Sequence, residues 1–455
     1  MPHSISPPDL LSGPTHPGPP HRMDATDGRF IQTTNNCRPF RASTLSAAMN
    51  YPAIPGTSAF NPRTLPEDGS VPVALTKPPM PKRGGKNIFA YWHTGIHTLK
   101  PYLLRNILSW YQRYDSLGWN IYVLDTIEGS PLNVSRYIDM SDPEVVPEVL
   151  RRKPSVTGQY SAQHSSDLVR YPMLLKYGGV YLDTGMILFG DMDKLWEDHV
   201  GNTDSPIDYA GFAMGDTPDA ISIVNFCMMC TPDNPLVQRA HSIFLKLWEG
   251  RTDTTGAHAH PLVSHVPLLR VPPNVVQNGE GKDKMAIDDE AMTDYAVQIQ
   301  AMGTAQRWLD EEANWNGPEY VLNKCWLLSM IRHAYVNEQL TGWDSAKQHL
   351  IFQTPLPAVF DGHETKDQRL GRHIVEESVA GSWALKLAHG FSARLFGAPT
   401  LGMRWRDDEG SDCKEGTFGG WLRWATTHLR QDKAPDRLVI APYEPTMRAS
   451  LAAML

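Results

Sequence analysis

His164–Trp196 reads HSSDLVRYPMLLKYGGVYLDTGMILFGDMDKLW, and the change of pattern along it decides the fold. Its first part is helical. Leu168, Tyr171 and Leu175 recur at three- and four-residue spacing and turn one face toward a core. Asp167 and Arg170, three apart, share the adjoining face, which sets a carboxylate and a guanidinium beside an apolar stripe. Ser165 or Ser166 is the expected N-cap, because a hydroxyl there accepts a bond from an orphan backbone N–H. Pro172 has no donor for the carbonyl of Leu168 and predicts a kink. Gly178-Gly179 then ends the helix in backbone that glycine adopts at little cost. Val180–Asp183 alternates as a strand, with Tyr181 and Asp183 on one face and Val180 and Leu182 on the other. A carboxylate closing a buried strand needs a cation or donor to meet it.

The elements before this stretch fit a parallel sheet. Ile88–Trp92 is an aromatic and apolar strand, Tyr102–Tyr114 an amphipathic helix, and Trp119–Leu124 a second strand ending at Asp125. Strand, helix and strand in that order make a βαβ unit and an α/β, Rossmann-like, mostly parallel sheet. Ligands of such sheets bind at the carboxyl ends of the strands, here Trp92 to Gly95 and Asp125. After the central stretch, strands are expected at Tyr209–Ala213 and Ile223–Met229 and a helix at Pro235–Leu247. Helices are expected at Ala291–Glu312 and Glu319–Val336, and a late strand at His349–Gln353.

The run Ser166–Gly185, SDLVRYPMLLKYGGVYLDTG, resembles the SDxxRYxxLxxYGGxYxDxD core of the DXD-type glycosyltransferases. Among these are the capsular polysaccharide synthesis proteins, which it resembles best, the fungal initiating mannosyltransferases and the large glucosylating bacterial toxins. The resemblance implies a GT-A-like nucleotide-diphospho-sugar transferase fold. It implies a retaining transfer of a hexose from a UDP- or GDP-sugar to the hydroxyl of a soluble or polysaccharide acceptor. Asp167 and Arg170 would grip the sugar, Tyr181 would line the donor site, and Asp183 would hold Mn²⁺ or Mg²⁺ on the diphosphate. Trp92 would stack on the base and Gly95 would let backbone approach it. Gly185 stands where the pattern has its second Asp, so a further metal ligand must come from elsewhere, and His389 is the candidate. Without a metal, Lys386 or Arg170 would balance the diphosphate instead. Core packing is the alternative for Trp92, and a hydrogen-bonded buried histidine the alternative for His389. Gly185 also permits a second reading, a non-catalytic nucleotide-sugar-binding protein, against which the retention of Asp167, Arg170, Tyr181 and Asp183 speaks.

Composition narrows the field. A net charge of −8 over 455 residues argues against a nucleic-acid partner. Five scattered cysteines make no disulfide framework, and Cys227 and Cys230 on a strand would point apart. No run reaches the length of a membrane span and no signal peptide is visible, so a cytoplasmic protein is expected. Residues 1–86 carry 16 of the 37 prolines and read as a disordered or loosely draped segment. Residues 87–395 form the expected transferase domain, with a polar surface insertion at about 251–289. Residues 396–455 are an extension with one helix, Phe418–Arg430. Asp191-Met192-Asp193 spells DXD but lies past the apolar strand, where it reads as a turn into the next helix.

Overall fold

The computed structural model describes residues 51–151, 156–215, 221–270, 287–388, 390–450 and 453. Its frame is a six-stranded sheet. Strand β1 (Asn87–Tyr91), helix α1 (Pro101–Tyr114) and β2 (Asn120–Leu124) form the βαβ unit that the sequence predicts. Helix α2 (Ser161–Tyr177) leads into β3 (Gly179–Leu182), and β4 (Met186–Leu188) follows at once. Further along come β5 (Tyr209–Met214), β6 (Ser222–Cys230), α3 (Pro235–Leu247), α4 (Val297–Ala305), β7 (Cys325–Ser329), β8 (Ala384–Lys386) and α5 (Phe418–His428). The sheet order is β7-β5-β6-β3-β1-β2. All neighbours pair in parallel except β6, which runs against both β3 and β5. The carboxyl ends of five strands and the amino end of β6 therefore share one edge.

Two apolar layers cover the sheet. Val180 and Leu182 of β3 pack with α1, β4, β8 and α5, while Tyr181 packs with α2, α3 and α4 on the other face. That split follows from strand alternation. It also separates Cys227 from Cys230, which are free thiols in opposite layers. All five residues of β1 are buried because β2 and β3 flank it and helices cover both faces.

Several local expectations need correction. Helix α2 begins at Ser161, so Ser165 and Ser166 lie inside it. Ser165 Oγ bonds the carbonyl of Ser161 at 2.7 Å, as a mid-helix serine does. The helix runs through Pro172 to Tyr177 as one element. The expected helix Ala291–Glu312 divides at Ala296 into Asp289–Tyr295 and α4, and Trp308–Asp310 is a short strand. The expected helix Glu319–Val336 contains β7. Its apolar run Cys-Trp-Leu-Leu is ambiguous in period, and parallel pairing to Tyr209–Ala213 decides it. His349–Gln353 belongs to a helix, Ser345–Gln353, whose start Asp344 caps by accepting from the N–H groups of Ala346 and Lys347 at 2.9 and 3.0 Å.

The described part of the Pro-rich segment is packed. Ile54 and Leu75 are buried, and Thr57–Ala59 pairs antiparallel with Leu429–Gln431 near the other end of the chain. The extension is packed as well, with Trp421 of α5 fully buried. Asp412 accepts bonds from Arg423 Nε at 2.9 Å and Arg105 Nε at 3.0 Å, which ties α5 to α1. No helix among the described residues is long and apolar enough to cross a membrane.

Candidate active site

The shared edge of the sheet opens into a cavity of about 1190 Å³. Its wall contains the residues just past β1 (Trp92, His93), past β3 (Asp183 to Gly185) and past β7, together with Val224 to Phe226 at the start of β6. That position is where the strand-order argument places a ligand. The volume exceeds the usual range for one small ligand, about 300–1,000 Å³, and leaves room for two substrates. The charge of the wall is opposite to that of the chain. Among the described residues it has seven Lys and Arg side chains, including Lys100, Lys386, Arg404 and Arg406, against four Asp and Glu. Such a wall draws an anionic ligand.

At the floor lie Asp167, Arg170, Asp183 and Lys386. Tertiary structure assembles them through β4 and β8. Met186 pairs with Lys386 across this antiparallel ribbon, and Leu387 N–H bonds the carbonyl of Gly185 at 2.8 Å. Lys386 Nζ consequently reaches Asp183 Oδ2 at 2.8 Å, 203 residues away in sequence. Helix α1 clamps the segment after β3 from below. Asn106 Nδ2 donates to the carbonyl of Thr184 at 2.8 Å, and Trp110 Nε1 to that of Met186 at 3.0 Å.

Arg170 is the hub of the floor. It is 3% exposed, its Nη1 donates to the carbonyl of Asn225 at 2.7 Å, and its Nη2 faces Asp167 Oδ1 at 2.9 Å and Asp183 Oδ1 at 3.4 Å. The guanidinium lies 4.7 Å from the centre of the Tyr181 ring, whose hydroxyl bonds Ser166 Oγ at 2.7 Å. Tyr181 has no exposed surface and is absent from the cavity wall, so it supports Arg170 from behind and does not line the cavity. Arg170 Nε is buried without a partner. With its fork spent on protein atoms, Arg170 acts chiefly by holding the two carboxylates in place. Burial pushes the Asp167 carboxyl up to about 7; Arg170 pulls it down and Asp183 pushes it further up.

The other predicted residues are distributed as follows. Trp92 lines the cavity, half-buried, with Nε1 donating to Thr98 Oγ1 at 3.0 Å. Gly95 and Asp125 are not in the wall. Asp125 is 3% exposed and accepts from Ile127 N–H at 3.0 Å and Ser130 Oγ at 2.6 Å, which staples the loop after β2. Gly95 has φ +81°, and a Cβ there would meet Ile127 Cδ1 at 2.8 Å, so this glycine serves the same turn. His389 lies outside the described residues.

Among the described residues, the floor does not fit a divalent cation. Both oxygens of Asp183 face cations of the chain, Gly185 brings no ligand, and no described group of three His, Cys, Asp or Glu side chains is spaced to hold a metal. The cation against Asp183 Oδ2 is Lys386 Nζ, at 2.8 Å.

Sequence reasoning overlooked two residues of the floor. Asn225 Nδ2 donates to Asp167 Oδ1 at 3.2 Å and to Gln298 Oε1 at 2.9 Å, and Gln298 Nε2 donates to the carbonyl of Asp167 at 2.7 Å. Asn225 is a lone amide in the apolar run Ile-Val-Asn-Phe of β6, and Gln298 is one of two glutamines in Val-Gln-Ile-Gln of α4; those interruptions were the available signal. Part of the cavity wall is aromatic. Tyr295 and Phe391 stack at 4.0 Å, and Tyr335 stacks on Trp343 at 5.7 Å.

The fold and floor together define a mixed α/β protein with a ligand cavity at the carboxyl edge of its sheet. Residues 74–255 match the family model described as capsular polysaccharide synthesis protein. The chain is 32% identical over 361 residues to the O-glycosyltransferase braB of Annulohypoxylon truncatum, covering 78% of this chain and 82% of that protein. It is 31% identical over 350 residues to the glycosyltransferase afumC of Aspergillus fumigatus, covering 76% and 86%. Identity to the O-glycosyltransferase PaGT of Phomopsis amygdali is 30% over 382 residues, covering 83% and 89%. No solved structure matches the chain significantly. The chain belongs to this glycosyltransferase family and is a transferase enzyme.

Proposed function

We propose that the enzyme moves a hexose from a nucleoside diphosphate sugar to an acceptor hydroxyl in the cytosol, on a GT-A-type scaffold and with retention at the anomeric carbon. The observation that carries this reading is the floor, where Lys386 and Arg170 meet Asp183 beneath a wall rich in cations. The base stacks on Trp92 at the end of β1. The diphosphate lies against Lys386, whose ammonium replaces the divalent cation of other DXD enzymes. Asp183 and Asp167, held by Arg170, accept bonds from sugar hydroxyls. The bond from the anomeric carbon to the phosphate oxygen breaks, and the electron pair leaves with the diphosphate. The acceptor oxygen bonds that carbon from the same face, and its proton passes to the departing phosphate oxygen. Positioning and charge stabilisation supply the catalysis.

The test is hydrolysis and binding of a panel of UDP- and GDP-sugars, with Mn²⁺ or with EDTA, by wild type, Asp183→Ala and Lys386→Ala. One donor is expected to turn over in EDTA and to lose about 10²-fold or more in kcat in Lys386→Ala. Turnover that requires Mn²⁺ would overturn the role given to Lys386. Neither binding nor turnover of any donor would overturn the donor class.

A further inference from the structure

Besides the two carboxyls of the floor, a buried one faces the cavity, and the floor makes no use of it. Glu338 lies on the short helix Val336–Thr341, lines the cavity and is 8% exposed. Its side chain has one hydrogen bond, from Gln348 Nε2 to Oε2. Gln348 is itself fully buried and fixed by Asn337 Nδ2, which donates to its Oε1 at 2.9 Å. Among the described residues no Lys, Arg or His pairs with Glu338. Asp344, at the cap of the next helix, adds like charge, and the nearest rings are Tyr335 and Trp343. A carboxylate offers about four acceptor positions. One is filled, and a buried carboxyl left that way is costly. The side open to a partner is the cavity.

We propose that Glu338 is the acceptor-hydroxyl subsite: in the bound complex before transfer it receives the hydrogen bond of the hydroxyl to be glycosylated, which the aromatic wall of Tyr335 and Trp343 brings to it, and the O–H turns from Glu338 to the departing phosphate oxygen as the new bond forms. The proposal rests on the transferase reading above and adds to it the place of the second substrate. Charge decides between the substrates, since a donor diphosphate is repelled by Glu338 and drawn to Lys386. Position agrees, since Glu338, Tyr335 and Asp183 line the same cavity, and the Tyr335 hydroxyl is held protonated by burial and by both carboxyls. Gln348 and Asn337 give Glu338 one orientation before the ligand arrives, which lowers the entropy lost on binding.

Binding of paired fragments tests this without a donor and without turnover. The full chain is titrated with 2-phenylethanol and with ethylbenzene, which differ only in the hydroxyl, as wild type, Glu338→Gln and Glu338→Leu. Wild type is expected to prefer the alcohol by about ten-fold or more, the range of a hydrogen bond to a charged group. Glu338→Leu is expected to lose the preference and Glu338→Gln to keep a small part of it. Melting of Glu338→Leu no lower than wild type at pH 8 is expected as well, because a group retained for ligand binding is not one that stabilises the fold. No preference in wild type, or an equal preference in Glu338→Leu, overturns the subsite. So does a large loss of stability in both variants, which marks Glu338 as structural. Failure of the donor panel would instead overturn the donor class, so the two readings fail separately.

Discussion

Arg170 shows how much of this site depends on one side chain of defined shape. Its planar fork reaches the Asn225 carbonyl, Ser166 Oγ and the oxygens of Asp167 and Asp183 at once. A lysine has one compact charge and cannot reach all four. Arg170→Lys is therefore expected to keep a positive charge and still lose about 10²-fold in kcat/KM, since small misplacements of reacting groups cost that much. Steady-state kinetics on the donor identified by the panel checks it. Glu338 sets a different expectation. Burial is the main cause lifting its carboxyl to about 7, against the Gln348 bond and with help from Asp344. The native state then holds a proton that the unfolded chain releases at its ordinary value near 4.5. Between these values the unfolded state binds fewer protons, so stability falls as pH rises from about 4.5 to about 7. The loss attributable to Glu338 is up to about 3 kcal/mol. Urea midpoints of wild type and Glu338→Gln across that window measure it. The variant's curve is expected to be flatter and to lie higher above pH 7.

At the scale of elements, the join between α2 and β3 is a tight point of the fold. Gly178 and Gly179 both have positive φ, and a Cβ on Gly179 would stand 2.4 Å from the backbone oxygen of Asn87 on β1. Neither strain has a flexible side chain to absorb it. Gly179→Ala is expected to cost about 1–3 kcal/mol from backbone strain alone, with the clash added. Because β3 leads directly into Asp183, displacement of the strand should lower turnover along with stability. Denaturant midpoint and kcat measured on the same preparation distinguish this from a change of stability alone. The join was legible in the sequence because a helical period, two glycines and an alternating strand follow one another without a gap. The pairing of β8 with β4 was not. Ala384-Leu385-Lys386 is three residues long, and nothing local says which edge it will cover. An apolar run without a clear period hid β7 within an apparently helical stretch.

For the whole molecule, the C-terminal extension braces the site through α1. Asp412 has no exposed surface and meets both Arg105 of α1 and Arg423 of α5, while Arg113 Nη1 donates to the carbonyls of Thr426 and Leu429 at 2.7 and 3.0 Å. Helix α1 is thus held by the extension on one side and holds the Asp183 segment on the other. Asp412→Ala takes the carboxylate away from the buried Arg423 guanidinium and from the half-buried Arg105, and a loss of about 3–5 kcal/mol is expected, read as a lower denaturant midpoint. A chain ending at residue 398 loses the whole bracket, together with the Leu429–Gln431 strand that pairs with Thr57–Ala59. It is expected to be recovered unfolded or aggregated, which circular dichroism and size exclusion would register.

What the sequence determined by itself is local. The periods of α1, α2 and α3, the alternation of β3 and the glycine join are consequences of backbone geometry within a few residues, and they place Asp167, Arg170 and Asp183 near one another. Only tertiary structure decided the rest, because it depends on which distant segments share a surface. It set Lys386 against Asp183, put Asn225 and Gln298 behind Asp167, moved Asp125 and Tyr181 out of the cavity wall, and left Glu338 facing the cavity with a single bond. A charge at the end of a strand can be read from its own neighbours. The partner that neutralises it, when that partner is 203 residues away, cannot.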